Sequence, residues 1–470
     1  DINSFFGQKF GNVGTTVSAS YNRNWAYDPS DVGFTVIPKF DRFVFNPKLF
    51  LYLSENTDFS FGINSMIENR LGGDMKYVEG KGDEEHSYFE RNKTQRHSSQ
   101  LTFEHRFDNQ NRLNVKNSIT YFSRKIEIPD FEFDGNQLSS FSEVSYIHTK
   151  EKTEWVTGAN VWTDKFTEKK LTDFPVRDYN MTTFGLFVQN NTKITDWMNL
   201  ETGLRTDYIT DYGFAVLPRI SSHFKITEKF SSRIGGGFGY KAPTIFSEDS
   251  ERIQFQNVLP IDDDINKLER SYGANVDFTY KTGLFNDQVF LSINQLFFYT
   301  YLKNPLELQS ADNNRWQFNN IDGHVDSKGA ETNMKIKYKD FGLFVGYTYT
   351  DANVKEDGRS YRKTLTPKHK VNSVLMYEVE DKWKIGLEAY YTGKQKLNDG
   401  RTGKDYLICG LMMQRIWEKF SIYANFENFT DRRQTRFDTI HTGSMTNPEF
   451  RDIYAPLDGF VLNTGIIIKL

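Results

Sequence analysis

Cysteine is almost absent: Cys409 stands alone in 470 residues, so neither an intrachain disulfide framework nor a cysteine-based metal site can form. Long apolar runs are missing too. Nothing approaches the roughly 18 apolar residues a spanning helix needs, which excludes helical membrane proteins but not membrane barrels, whose strands cross with about 9–11 residues, half of them facing lipid. Charge of one sign is not in excess, and a formal net charge of −4 leaves no electrostatic case for a nucleic-acid partner. No composition shift and no Gly/Ser/Pro-rich linker marks a boundary, so residues 1–470 read as one domain. Neither Gly-x-Ser-x-Gly nor His-Glu-x-x-His occurs, and no Ser/His/Asp set assembles by spacing. The reading is therefore not an enzyme, with no cofactor and no bound metal. No secretory leader precedes Asp1, and the sequence reads as mature, trimmed or a fragment.

What the chain has is aromatic residues and alternation. Its 41 Phe, 25 Tyr and 7 Trp are many for a polar sequence and suit the interfacial girdles of a membrane barrel. Tyr272, Ala274, Val276, Phe278 and Tyr280 alternate with Ser271, Gly273, Asn275, Asp277 and Thr279, and the same period recurs from Phe341 to Thr350 and from Phe420 to Glu427. Successive strand side chains point to opposite faces, so each segment has an apolar and a polar face. Twenty such segments are expected: 13–25, 41–53, 58–71, 89–107, 112–127, 139–149, 153–163, 179–193, 198–209, 215–225, 230–241, 268–280, 287–301, 328–338, 342–352, 367–378, 383–394, 404–415, 420–429 and 458–470.

Short turns such as Ser54-Glu55-Asn56, Thr195-Asp196 and Lys339-Asp340 alternate with long polar connections at 26–40, 72–88, 164–178, 242–267, 302–327, 351–366 and 430–457. This rhythm fits an all-β fold, a transmembrane antiparallel up-and-down barrel with short periplasmic turns and long extracellular loops. Gly11-Asn12 reads as a periplasmic turn, which makes Ile2 to Phe10 the tail of a descending strand with its ascending partner upstream; that brings the expected total to twenty-two. The last strand places Phe460, Leu462, Ile466, Ile468 and Leu470 on one parity and resembles the terminal assembly signal of outer-membrane barrels, with Leu470 in place of the usual aromatic.

Several motifs, in order, resemble the barrel of TonB-dependent outer-membrane transporters, particularly those of Bacteroidetes. Gly203-Leu204-Arg205-Thr206-Asp207-Tyr208, Leu217-Pro218-Arg219-Ile220 and Gly237 to Phe246 look like three successive family segments. Thr366 to Asn372, Tyr391-Thr392-Gly393 and Glu427-Asn428-Phe429-Thr430-Asp431-Arg432 continue the series. Gly459-Phe460 heads the closing strand where the family usually has Gly-Arg, a departure. Tyr27-Asp28-Pro29, Arg70 to Met75 and Glu90 to Arg96 are similar to the Bacteroidetes branch.

The resemblance implies a plug domain within the lumen, in the same chain or a separate one, and a coupling box pulled by the TonB–ExbB–ExbD complex. Neither lies in these residues. Other implied neighbours are outer-membrane lipid and, over the mouth, a surface lipoprotein. The polar parity marks Glu201, Arg205, Asp207, Arg233, Gly235 and Gly237 as lumen residues facing the plug, against Leu200, Leu204, Tyr208, Ile234, Phe238 and Tyr240 outside. Ligand candidates at the mouth are Trp162, Arg315 with Trp316, and Arg433, Arg436, Arg451 and Tyr454, since barrel sites lie in their mouths and aromatic or cationic groups suit planar or anionic ligands. The expected function is TonB-dependent import of a scarce, bulky ligand, foremost a ferric siderophore or other iron chelate. Alternatives are cobalamin or haem import, for which His86, His324 and His441 lie in expected loops, and a passive porin or surface-binding barrel.

Overall fold

A computed structural model describes residues 1–468; the expected terminal Leu470 lies outside the described residues. All twenty expected strands are present, and Ile2–Phe10 is a further one. They form a single antiparallel sheet of twenty-two strands, of which one is only the four-residue piece Arg359–Arg362 above the strand Phe341–Glu356. The other twenty-one pair with their neighbours in chain order, from Ile2–Phe10 against Val13–Asn24 to Phe420–Glu427 against Val461–Ile468.

Among the described residues, Ile2–Phe10 and Val461–Ile468 do not pair with each other. Both run towards the short-turn end, so one strand running the other way would pair antiparallel with each. The sheet nonetheless curls until the loops beside its two edges touch. Loop residues beside the first edge touch loop residues beside the last: Arg433 Nη1 donates to the Pro29 carbonyl, Ser30 Oγ donates to the Leu457 carbonyl at 2.6 Å, and the Phe34 ring packs edge-on against His441 and Phe450. Among the described residues, no helix is long and apolar enough to cross a membrane.

Alternation carries straight into the two faces. Phe184, Leu204, Tyr208, Phe214, Ile220 and Ile234 are exposed on the outside, while their chain neighbours Gly185, Arg205, Asp207 and Gly235 turn to the lumen. On the closing strand Leu462, Ile466 and Ile468 are likewise exposed.

The long-loop end departs from expectation in one direction: strands persist where loops were expected. The hairpin Asn111–Ile128 to Phe131–Lys150 turns on Pro129-Asp130 alone, so 131–138 is strand. Strand also fills part of 164–178, up to Glu168. The expected loop 302–327 holds a separate hairpin, Leu306–Ala311 with Arg315–Asn320, and 351–366 holds the top of Phe341–Glu356 with Arg359–Arg362. The physical cause is a dry core above the barrel rim. Ile126, Ile128, Phe133 and Phe166 on the tall strands bury against Ile245, Phe255, Val258 and Phe318, with Phe133 and Phe255 stacked at 4.6 Å. Each such side chain contributes about 1.5–3 kcal/mol on burial.

Burying a charge in the lipid-facing surface tests the assignment of faces. Ile234→Arg should cost about 2–4 kcal/mol in reversible folding into lipid vesicles, whereas Gly235→Ser, one residue on and turned to the lumen, should cost less than about 1 kcal/mol.

Candidate ligand-transport site

The inner wall carries a polar cluster built by register. Asn160, Gly185, Asp207 and Ala215 sit side by side on four consecutive strands, Thr153–Glu168, Tyr179–Thr195, Met198–Ile209 and Gly213–Lys225. Arg205 lies two residues below Asp207 and donates to it from Nε at 2.9 Å, and from Nη2 to Asn160 Oδ1 at 3.0 Å. Gly185 makes this possible. A Cβ there would stand 2.5–2.6 Å from Asn160 Oδ1, Arg205 Nη2 and Asp207 Oδ1.

Tyr240 corrects the sequence reading, which put it outside: its hydroxyl donates to Asp207 Oδ2 at 2.9 Å. Pairing between Gly213–Lys225 and Phe230–Lys241 stops at Arg219 with Gly237, while Phe230–Lys241 stays paired with Glu269–Leu284 up to Lys241; the edge left open towards Gly213–Lys225 is the side on which the Tyr240 hydroxyl reaches Asp207. Below the cluster, Glu201 meets Arg219 at 3.7 Å, and Arg233 stands between His223 and Asp277 on the neighbouring strands. Gly235 and Gly237 floor a recess of about 870 Å³ that Glu201 and Arg233 also line.

At the mouth the central element is the segment 242–268. It opens with a short helix, Glu248–Arg252, capped by Ser247 accepting from the Ser250 N–H. Glu251 takes both oxygens to Arg124 Nη1 at 2.7 and 2.8 Å, Gln254 donates to Glu90, and the Phe255 carbonyl accepts from Arg177, itself paired with Glu168 and buried. On the other side Arg252 reaches Asp452 at 3.0 Å. A cavity of about 380 Å³ separates the segment from the hairpin 353–365, with Trp316, Glu307, Tyr361 and Lys363 on its walls. Burial pushes the Tyr361 hydroxyl up to about 12 and lifts the Glu307 carboxyl above the usual carboxylate range, with Asp249 and Glu356 adding to the rise and Lys363 at 3.9 Å opposing it.

The mouth candidates fall into separate environments. Trp162 shares the parity of Asn160 and is 54% exposed, towards the lumen above the polar cluster. Trp316 lines the cavity and also packs on the dry core, and its backbone N–H donates to the Asn257 carbonyl at 2.9 Å. Arg315 bonds the Asp312 carbonyl at the tip of the same hairpin. Arg433 and Arg436 both hold Asp431, which keeps that carboxyl below its usual range, Arg433 being the larger cause. Tyr454 is buried, its hydroxyl donating to Asp438 at 3.0 Å, and the Arg451 N–H donates to the Ile440 carbonyl.

Of the three histidines, His86 pairs with Asp74 at 2.7 Å, His324 is stacked on Tyr301, and His441 packs against Phe34 with its Nδ1 buried and without a hydrogen-bond partner. Residues missed from the sequence include Gln434, wholly buried, whose amide accepts from the Tyr454 and Ala455 N–H groups and donates to the Asp452 carbonyl. A buried glutamine in a polar loop carries no sequence signal.

A polar-lined lumen, lipid-facing outer strands and a structured mouth define a membrane receptor barrel. The chain belongs to the family described as TonB dependent receptor-like, beta-barrel, which it matches over residues 6–429. Its localisation is accordingly the outer membrane, and the family is one of receptors and transporters that work with a plug and TonB-dependent coupling. No curated protein matches the sequence. Among solved structures, the chain is similar to the FrpB iron transporter from Neisseria meningitidis, at TM-score 0.75 and 12% identity, covering 99% of this chain and 78% of that one. It is similar to the siderophore receptor PirA from Acinetobacter baumannii at 0.72 and 16%, covering 99% and 76%, and to the copper transporter OprC at 0.74 and 12%, covering 98% and 76%. At these identities the likeness shows the fold alone.

Two outcomes test the site's geometry. Gly185→Ala should destabilise the protein by about 1–3 kcal/mol, seen as a lowered melting temperature in detergent, because the methyl group displaces the Arg205 pairing. The raised Glu307 carboxyl binds its proton more readily folded than unfolded, so its charge destabilises the mouth above the folded pKa and that penalty fades as pH falls through it. Glu307→Gln should therefore melt higher than wild type at neutral pH, with the difference gone below about pH 4.

Proposed function

We propose that this barrel imports a scarce, bulky iron chelate, most simply a ferric siderophore, by TonB-driven remodelling of a plug seated on the lumen cluster. The observation that carries the reading is the roofed mouth: a cavity walled by Trp316, Tyr361 and ion-paired side chains lies over a polar, recessed inner wall. A passive pore needs no such roof. FrpB and PirA, whose printed names give iron and siderophore, support the choice of cargo; OprC, equally similar in fold, carries copper by its name and makes copper the comparison ligand.

In this reading the exposed Trp162 and the partly buried Trp316, Arg315 and Arg451 meet the ligand. Arg433, Arg436 and Tyr454 shape the loop that presents it. Glu201, Arg205, Asp207, Arg233, Gly235 and Gly237 face the plug, and the TonB–ExbB–ExbD complex supplies the pull. A surface lipoprotein over the mouth would touch the same loops. Haem is the less favoured cargo, since His86 is paired with Asp74 and His324 is stacked on Tyr301 beside Asp326.

Calorimetric titration of the purified protein with a ferric catecholate chelate, cobalamin, haem and copper tests the reading. The iron chelate should bind at micromolar concentration or tighter, and Trp316→Ala should weaken it by about tenfold. Binding of cobalamin, haem or copper with none of the iron chelate would overturn it.

A further inference from the structure

The segment 242–268 links strands far apart around the sheet. It joins Phe230–Lys241 to Glu269–Leu284, yet it bonds Glu90 and Arg124, at the tops of Phe89–Arg106 and Asn111–Ile128, and on the opposite flank Asp452 of the loop 428–460. A connection that ties both flanks lies across the mouth. Its two attachments differ in kind. Towards the tall strands it is anchored by wholly buried Ile245, Phe255 and Val258 and by the buried Arg177 bond to the Phe255 carbonyl. Towards the loops 393–405 and 428–460, the polar tie among the described residues is Arg252 to Asp452, with a half-exposed Arg252 side chain, and the 380 Å³ cavity keeps the hairpin 353–365 away from it.

We infer that 242–268 is a strap hinged on the dry core and latched by Arg252–Asp452, and that the latch must open for a bulky solute to pass the mouth. Both partners have somewhere to go. Asp452 keeps the Asn398 N–H at 2.6 Å and the Asn398 amide at 2.9 Å, and Arg252 keeps Asp249 at 3.8 Å within its own helix turn. Opening leaves the buried Asp452 carboxylate with its two Asn398 hydrogen bonds but without its ion pair, so the latch carries a cost that those bonds offset only in part, while the half-exposed Arg252 returns to water and Asp249. The dry core on the other flank has no comparable substitute contact, so motion concentrates at the latch.

The test uses the complete receptor in cells, with Cys409→Ala as background. Arg252→Cys and Asp452→Cys joined by a reducible bifunctional thiol reagent should leave binding of a radioiron-loaded catecholate chelate to de-energised cells intact and cut its uptake by about tenfold or more, with recovery on reduction. Uptake at the unlinked rate would overturn the inference. That arm rests on the proposed cargo, so a second needs none. Thr364→Cys, on the cavity wall, should react with a bulky maleimide severalfold faster when Arg252→Gln is added. Equal rates would overturn the strap even if the chelate never binds, whereas faster labelling without chelate binding would leave the strap and sink the cargo.

Discussion

In hydrocarbon a peptide N–H or C=O has no water to turn to, so each must find a partner in the protein. The whole molecule depends on that constraint. It forces neighbouring strands into continuous antiparallel ladders, and above them loop contacts from Pro29, Ser30 and Phe34 join the loop 25–38 to the loop 428–460. Once the ladders run, the period of two fixes everything else about the wall: a lipid-facing Leu204 obliges Gly203 and Arg205 to face inward. The lumen is polar because the outside is apolar.

The polar lumen and the roof above it follow from strand height. Strands that only had to cross the bilayer would stop at the rim, but Asn111–Ile128 and Phe131–Lys150 continue beyond it and offer Ile126, Ile128 and Phe133 to the segment 242–268. That contact turns a floppy connection into an ordered element. It also sets an asymmetry in the mouth, with one flank dry and fixed and the other polar and exchangeable. Below, Gly185 and the recess over Gly235 and Gly237 leave room on a wall where side chains elsewhere project.

The barrel was legible because alternation is local: each strand announces its faces without reference to its partners, and all twenty expected segments are found. The mouth was not. Arg252 and Asp452 are separated by two hundred residues, and nothing near either one signals the other. Loop polarity around 302–327 hid a hairpin whose apolar residues, Leu308, Trp316 and Phe318, are spaced too sparsely to read as strands until the core they join is known. Trp316 illustrates the ambiguity, since it lines a cavity and packs on that core at once. Tyr240 shows that parity does not fix where a long side chain reaches when one flank of its strand is left unpaired.

Energy dependence separates a receptor that is pulled open from a pore that stands open. Uptake of a radioiron-loaded catecholate chelate should be measured in cells producing the complete receptor, before and after the proton gradient of the inner membrane is collapsed. Uptake should stop while surface-bound chelate stays at its former level. Uptake that continues unchanged without the gradient would contradict the account.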